Sequence, residues 1–153
     1  MHRLSSFAVA LCCALMLNGP SLAEEASADT PRPPAIGGYS PVSYFTVGKP
    51  QLGSPEFAVQ HEGRTYYLTS AEQAEVFSAD PARYAPAFPL CPYSLATGGR
   101  AQIDPTNFKV AGEHLLLFHR STAGDGLAKF EASGLSDAEL IESARGQLKL
   151  LKF

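Results

Sequence analysis

Several kinds of residue grouping are missing from this sequence, and each absence narrows what the chain can do. Basic residues stand singly and never cluster, so the electrostatic footprint of a nucleic-acid binder is lacking. The apolar run from Phe7 to Leu17 has eleven residues, short of the ~20 that a helix needs to cross a bilayer. Cysteine occurs three times in 153 residues and methionine twice. No Gly-x-Ser-x-Gly elbow, no His-Glu-x-x-His pair and no carboxylate pair in an apolar setting is present, so the familiar hydrolytic constellations are excluded and no catalytic residue is assigned.

What is present begins with an export signal. Met1-His2-Arg3 supplies positive charge ahead of the apolar run, Gly19-Pro20 breaks it, and Ser21-Leu22-Ala23 puts small residues before Glu24-Glu25. This order predicts a signal peptide over 1–23, cleaved after Ala23, and a periplasmic or secreted product. Cys12 and Cys13 lack the small preceding residue that lipid attachment requires. Cleavage removes both of these cysteines, Met1, Met16, His2 and Arg3. Eleven Lys and Arg (12 less Arg3) then face 15 Asp and Glu, a formal charge of −4. Cys91 is left without an intramolecular disulfide partner, and with no methionine remaining a thioether-rich copper(I) site is excluded.

The stretch 24–37 is rich in Ala, Ser and Pro and reads as a flexible leader; the domain is expected over 38–153. In Tyr39–Phe45 the aromatics and Pro41 predict an extended opening segment. Phe57–His61 and Arg64–Leu68 flank Glu62-Gly63 as a hairpin. Ser70-Ala71-Glu72-Gln73 has capping-box form and starts a helix to about Ala79, with a further short turn from Asp80-Pro81 toward Tyr84. Ala85 to Asn107 reads as a long loop, a length that usually serves a function. Phe108–Val110 and Leu115–His119, turning at Ala111-Gly112, predict a second hairpin whose latter strand is buried on both faces. Helices are expected within Gly126–Ala132 and from Ser136, with Leu140, Ile141, Ala144 and Leu148 at helical spacing. The fold class is therefore α+β, a small antiparallel sheet from two hairpins with packed helices.

Gly38-Tyr39-Ser40-Pro41-Val42-Ser43-Tyr44-Phe45, Gly48-Lys49-Pro50 and Gly53-Ser54-Pro55-Glu56-Phe57 occur in that order. They are followed by Tyr66–Glu72 leading to Phe77, by Ala79–Pro86, and by Cys91-Pro92-Tyr93. This series resembles the exported YHS-domain family over Gly38 to about Phe118. The resemblance implies a small α+β domain related to modules that take heavy-metal ions, copper among them, through cysteine thiolates. The chain departs from that pattern: Ser43, Thr69 and Gln73 stand where metal-type modules carry cysteine, and Ser40 stands where the exported branch has Asp.

Cys91 is the most informative side chain of the processed chain. Pro92 holds it in extended backbone and Pro89 stiffens the approach, beside Tyr93. It reads either as a small buried hydrophobe or as a soft-metal ligand, redox thiol or nucleophile. Ligand-binding candidates are Cys91, Tyr93, Tyr39 and Tyr44, as an aromatic-walled pocket with Gly98-Gly99-Arg100 as a mobile edge. The metal-ligand candidates are Cys91 and His119, with copper(II) or zinc as the ion. Five steps along one strand would separate His114 from His119 by ~16 Å on opposite faces, and His61 reads as a solvated turn residue. Three functions stand: an exported non-enzymatic module binding a metal ion or small ligand near Cys91; a thiol-dependent redox protein or enzyme with His119 as base; and a scaffold that meets a protein partner through the C-terminal helix from Ser136 to Phe153.

Overall fold

The structure is a computed structural model describing residues 32–151. The expected signal peptide, its cleavage point, the leader as far as residue 31 and the last two residues lie outside the described residues. Ordered packing reaches further back than the composition suggests. A 3-10 turn at Ala35–Gly38 buries Ile36 to 7 % exposure, so Ala35, Ile36 and Gly37, assigned to the leader, belong to the fold.

Pro41 does not keep the opening segment extended. It sits in the turn that leads into α1 (Ser43–Thr46), ahead of the helix, where its missing N–H removes no helical hydrogen bond. β1 (Ser54–His61) and β2 (Arg64–Leu68) then pair antiparallel, His61 opposite Arg64. Glu62 and Gly63 both have positive φ, 48° and 70°, which matches the twist of a two-residue hairpin turn. The register breaks between Ser54 and Ala58, a stretch that contains Pro55, which has no N–H for a ladder.

α2 (Ala71–Ala79) is capped by Ser70, whose hydroxyl accepts from Gln73 N at 3.3 Å. The expected return bond from the Gln73 side chain is not made. Its Oε1 instead accepts from Ser40 Oγ at 2.6 Å and from Thr69 N at 3.5 Å. α3 (Pro81–Tyr84) starts on an Asp80 cap. Within the stretch read as loop, α4 (Pro92–Ala96) forms with Pro92 at its first position, the one place where proline favours a helix.

β3 (Phe108–Ala111) and β4 (His114–Leu117) form the second hairpin, turning at Gly112-Glu113. β4 ends two residues earlier than expected, but it is buried on both faces as its apolar run predicts. Leu115 and Leu117 face one core cluster and Leu116 another, as the two-residue period of a strand requires. A third ribbon, β5 (Arg120–Ser121) with β6 (Gly124–Asp125), has no counterpart in the sequence reading. α5 (Gly126–Ala132) follows directly. α6 (Asp137–Leu150) carries a complete capping box, Ser136 Oγ accepting from Glu139 N while Glu139 Oε2 accepts from Ser136 N at 2.8 Å.

The α+β class with antiparallel hairpins thus holds, whereas the hairpins do not merge: the described strands form three separate two-stranded sheets. Side chains join them instead. Val42, Tyr66, Leu68 and Phe77 fill one cluster, and Ile36, Tyr44, Leu115 and Leu117 a second. The third gathers Cys91, Leu95, Leu116, Phe118, Phe130, Leu140 and Ala144 where α4, α5 and α6 meet. Each fully buried Leu or Phe there contributes roughly 1.5–3 kcal/mol. None of the described helices is long and apolar enough to cross a membrane.

Candidate functional site

Two breaks in regular structure bring the site together. Cys91 precedes α4, with φ −56° and ψ 119°, the extended backbone that a following proline imposes. Its N–H donates to the Ala101 carbonyl at 3.0 Å and its own carbonyl accepts from Leu95 N at 2.9 Å. The return path from α4 is tied down as well: Gly98 N donates to Leu95 O, Gly99 N to Ser94 O, and Ala101 N to Ser94 Oγ. The Gly98-Gly99-Arg100 run, expected as a mobile edge, is thereby bonded into the loop that holds the cysteine.

His119 lies two residues beyond the end of β4, so no ladder holds it. Its carbonyl accepts from Gly126 N at 2.9 Å and from Asn107 Nδ2 at 3.0 Å. The imidazole that results from this placement sets Nδ1 3.4 Å from Cys91 Sγ. The thiol is fully buried, at 0 % exposure, while His119 is partly exposed. Gly126 forms the roof. A Cβ there would meet His119 Nδ1 at 2.6 Å and Cys91 Sγ at 3.0 Å, closer than a carbon can sit, so the glycine lets the helix backbone close directly over both heteroatoms.

A polar clamp surrounds the pair. Asn107 Nδ2 also donates to Asp125 Oδ1 at 2.9 Å, and Asn107 Oδ1 accepts from Arg120 Nη2 at 3.0 Å. Asp125 caps α5 by accepting from Leu127 N and Ala128 N, and Arg120 Nε reaches its other oxygen at 3.3 Å. The Asn107 side chain, followed by the Ala128 amide and then Arg120 and Leu127, lowers the Asp125 pKa from 3.8 to about 2.

Among the candidates, Cys91 and His119 are brought together and Tyr93 packs against their cluster. Tyr39 and Tyr44 are not part of the site. They belong to the second cluster, where Tyr44 lies edge-on to Phe108 and donates to the Pro105 carbonyl. An aromatic-walled pocket around Cys91 is therefore not formed by the four tyrosine and cysteine positions expected. Surface clefts of about 280, 240 and 470 Å³ open elsewhere, beside Arg32 and Arg64, beside Arg83 and Glu113, and between Gly112 and α6. His114 lines the latter two. His61, expected in solvent, instead stands edge-on to Phe77 with ring centroids 6.1 Å apart.

No three His, Cys, Asp or Glu residues among those described are grouped to hold an ion. A tetrahedral zinc or tetragonal copper(II) site takes four donors, so the expectation of those ions lacks its donor set. The pair supplies two donor atoms 3.4 Å apart. Ser43, Thr69 and Gln73 form a separate hydrogen-bonded group with Ser40: Ser43 Oγ donates to Ser40 O at 2.8 Å, Ser40 Oγ to Gln73 Oε1, and Thr69 N to the same Gln73 oxygen. No buried side-chain nitrogen or oxygen among the described residues lacks a partner. The apolar residues of the C-terminal helix expected to face a protein partner turn inward in part, Leu148 and Leu151 packing on the Cys91 cluster and Leu150 standing 74 % exposed.

Sequence reasoning found Cys91 and His119 and missed Gly126, Asn107 and Asp125. The Asp-Gly step before a helix was the available signal, since Asp is a favoured cap. Comparison with protein-family models, with curated proteins and with solved structures finds no match.

Proposed function

We propose that the protein is an exported, non-enzymatic binding module of the YHS type whose ligand is one soft metal ion held by Cys91 Sγ and His119 Nδ1. The observation that carries this reading is the 3.4 Å approach of an imidazole nitrogen to a buried thiol, with no side chain at Gly126 to come between them. A thiolate and an imidazole suit a soft monovalent ion such as copper(I), which accepts few ligands, better than zinc. Binding releases the thiol proton, and the surrounding Leu95, Phe118 and Phe130 keep water away. The signal-like N-terminus, with cleavage expected after Ala23, supports action outside the cytoplasm.

A second reading, a thiol-dependent enzyme or redox protein with His119 as base, is favoured by the same 3.4 Å contact. Against it stands the complete burial of Cys91, which leaves a substrate no approach to the sulfur. The test is native mass spectrometry of the processed protein titrated with copper(I) under reducing conditions, beside Cys91→Ser and His119→Ala. One equivalent bound by the wild type and lost in both variants is the expected result. Wild-type protein without metal, or undiminished binding in Cys91→Ser, overturns the proposal.

A further inference from the structure

We infer that Asn107 is the positioning residue of the Cys91–His119 site, an inference that rests on the function proposed above only for the ligand it serves. Asn107 is 1 % exposed, and an amide so deeply buried has to satisfy its donors and acceptor inside the protein. It does so by gripping the site from both sides. Its backbone carbonyl accepts from Phe118 N at 2.7 Å, and its Nδ2 donates to the His119 carbonyl. The 118–119 segment is thereby fixed immediately after β4 ends, where strand pairing no longer does so.

The second Nδ2 proton goes to Asp125 Oδ1, the oxygen that also caps α5. That cap determines where Gly126 starts the helix, and Gly126 is the roof over Sγ and Nδ1. A single amide group thus sets the imidazole against the thiol and places the surface that covers them. Groups of this outer kind orient ligands, and losing one typically costs 10–100-fold in metal affinity. Arg120 fixes which way the amide faces, because its guanidinium requires the Asn107 oxygen on its own side.

Two variants separate this role from general stabilisation. Asn107→Asp turns the donor facing the His119 carbonyl into an acceptor and sets it against Asp125. Asp125→Ser removes the Asn107 contact but keeps a hydroxyl cap for α5 and leaves the bond to His119. Long-range 1H–15N spectra of the imidazole provide the readout, with the difference between wild type and Cys91→Ser defining the thiol contact. The expected result is that Asn107→Asp loses the contact signature and binds copper(I) about tenfold or more weakly, while Asp125→Ser keeps the signature. If circular dichroism finds Asn107→Asp unfolded, Asn107→Ser takes its place with the same expectation.

A folded Asn107 variant with the wild-type His119 signature overturns the inference. So does equal loss in Asp125→Ser, which assigns the effect to the helix cap. Wild-type protein that binds no copper(I), yet loses the signature in the Asn107 variant, overturns the metal function and leaves the positioning role standing.

Discussion

Tyr44 Oη donates to the Pro105 carbonyl at 2.8 Å, joining residues 61 apart in the chain. The bond ties α1 to the loop ahead of β3, and the ring lies edge-on to Phe108 with centroids 4.9 Å apart. Burial, reinforced by Tyr39 and Asp104, pushes the phenol well above its usual value of 10. Because the folded state disfavours the phenolate, Tyr44 contributes stability that is fully present below pH ~10 and declines as the unfolded chain begins to ionise.

Spectrophotometric titration at alkaline pH should therefore find Tyr44 silent until the protein unfolds. Tyr44→Phe should remove that component and cost about 0.5–1.5 kcal/mol, the net worth of one hydrogen bond. Reversible ionisation of all six tyrosines by pH ~11 in a folded protein would contradict this.

At the acid end Asp125 governs the response. Its pKa is lower folded, about 2, than the unfolded 3.8, so its stabilising contribution is present above 3.8 and is lost as pH falls toward 2. Denaturant midpoints measured across that window should fall more steeply for the wild type than for Asp125→Asn, which retains a cap without a titrating group. Parallel curves for the two proteins would remove Asp125 from the account.

Gly126→Ala places a methyl group against both Sγ and Nδ1. Overpacking of this kind costs about 1–3 kcal/mol, and the variant should lose its copper(I) equivalent while Gly146→Ala, where a Cβ meets nothing within 4 Å, keeps it. Retained metal binding in Gly126→Ala would show that the ion does not sit against Sγ and Nδ1.

Cys91 should react with a thiol reagent only through opening of the fold, since the sulfur is buried. The rate is expected to rise with denaturant and to stay far below that of the unfolded chain in native buffer. Rapid native modification near neutral pH would instead indicate an accessible, activated thiolate and favour the enzyme reading.

The parts of the fold legible in the sequence are those with local causes. Glu62-Gly63 between two β-prone runs specifies the first hairpin, and Ser136 with Glu139 specifies the start of α6, because turn and cap chemistry act over a few residues. α4 was hidden among prolines and glycines, although Pro92 sits where a helix accepts it. Separate ribbons in place of one sheet could not be read from strand patterns, since burial on both faces of β4 is equally compatible with neighbours that are side chains. The Cys91–His119 contact spans 28 residues and depends on Asn107, whose neighbours in space are remote in sequence. Residue chemistry nominated the two partners, and only the chain's path could join them; the same path takes Tyr39 and Tyr44 elsewhere.

Because β1–β2, β3–β4 and β5–β6 share no ladder, unzipping one ribbon breaks no interstrand bond in another. Amide protons should accordingly fall into distinct exchange classes. The first hairpin is expected to exchange earlier than β4 and α6, and a local excursion there would leave the thiol's surroundings shut.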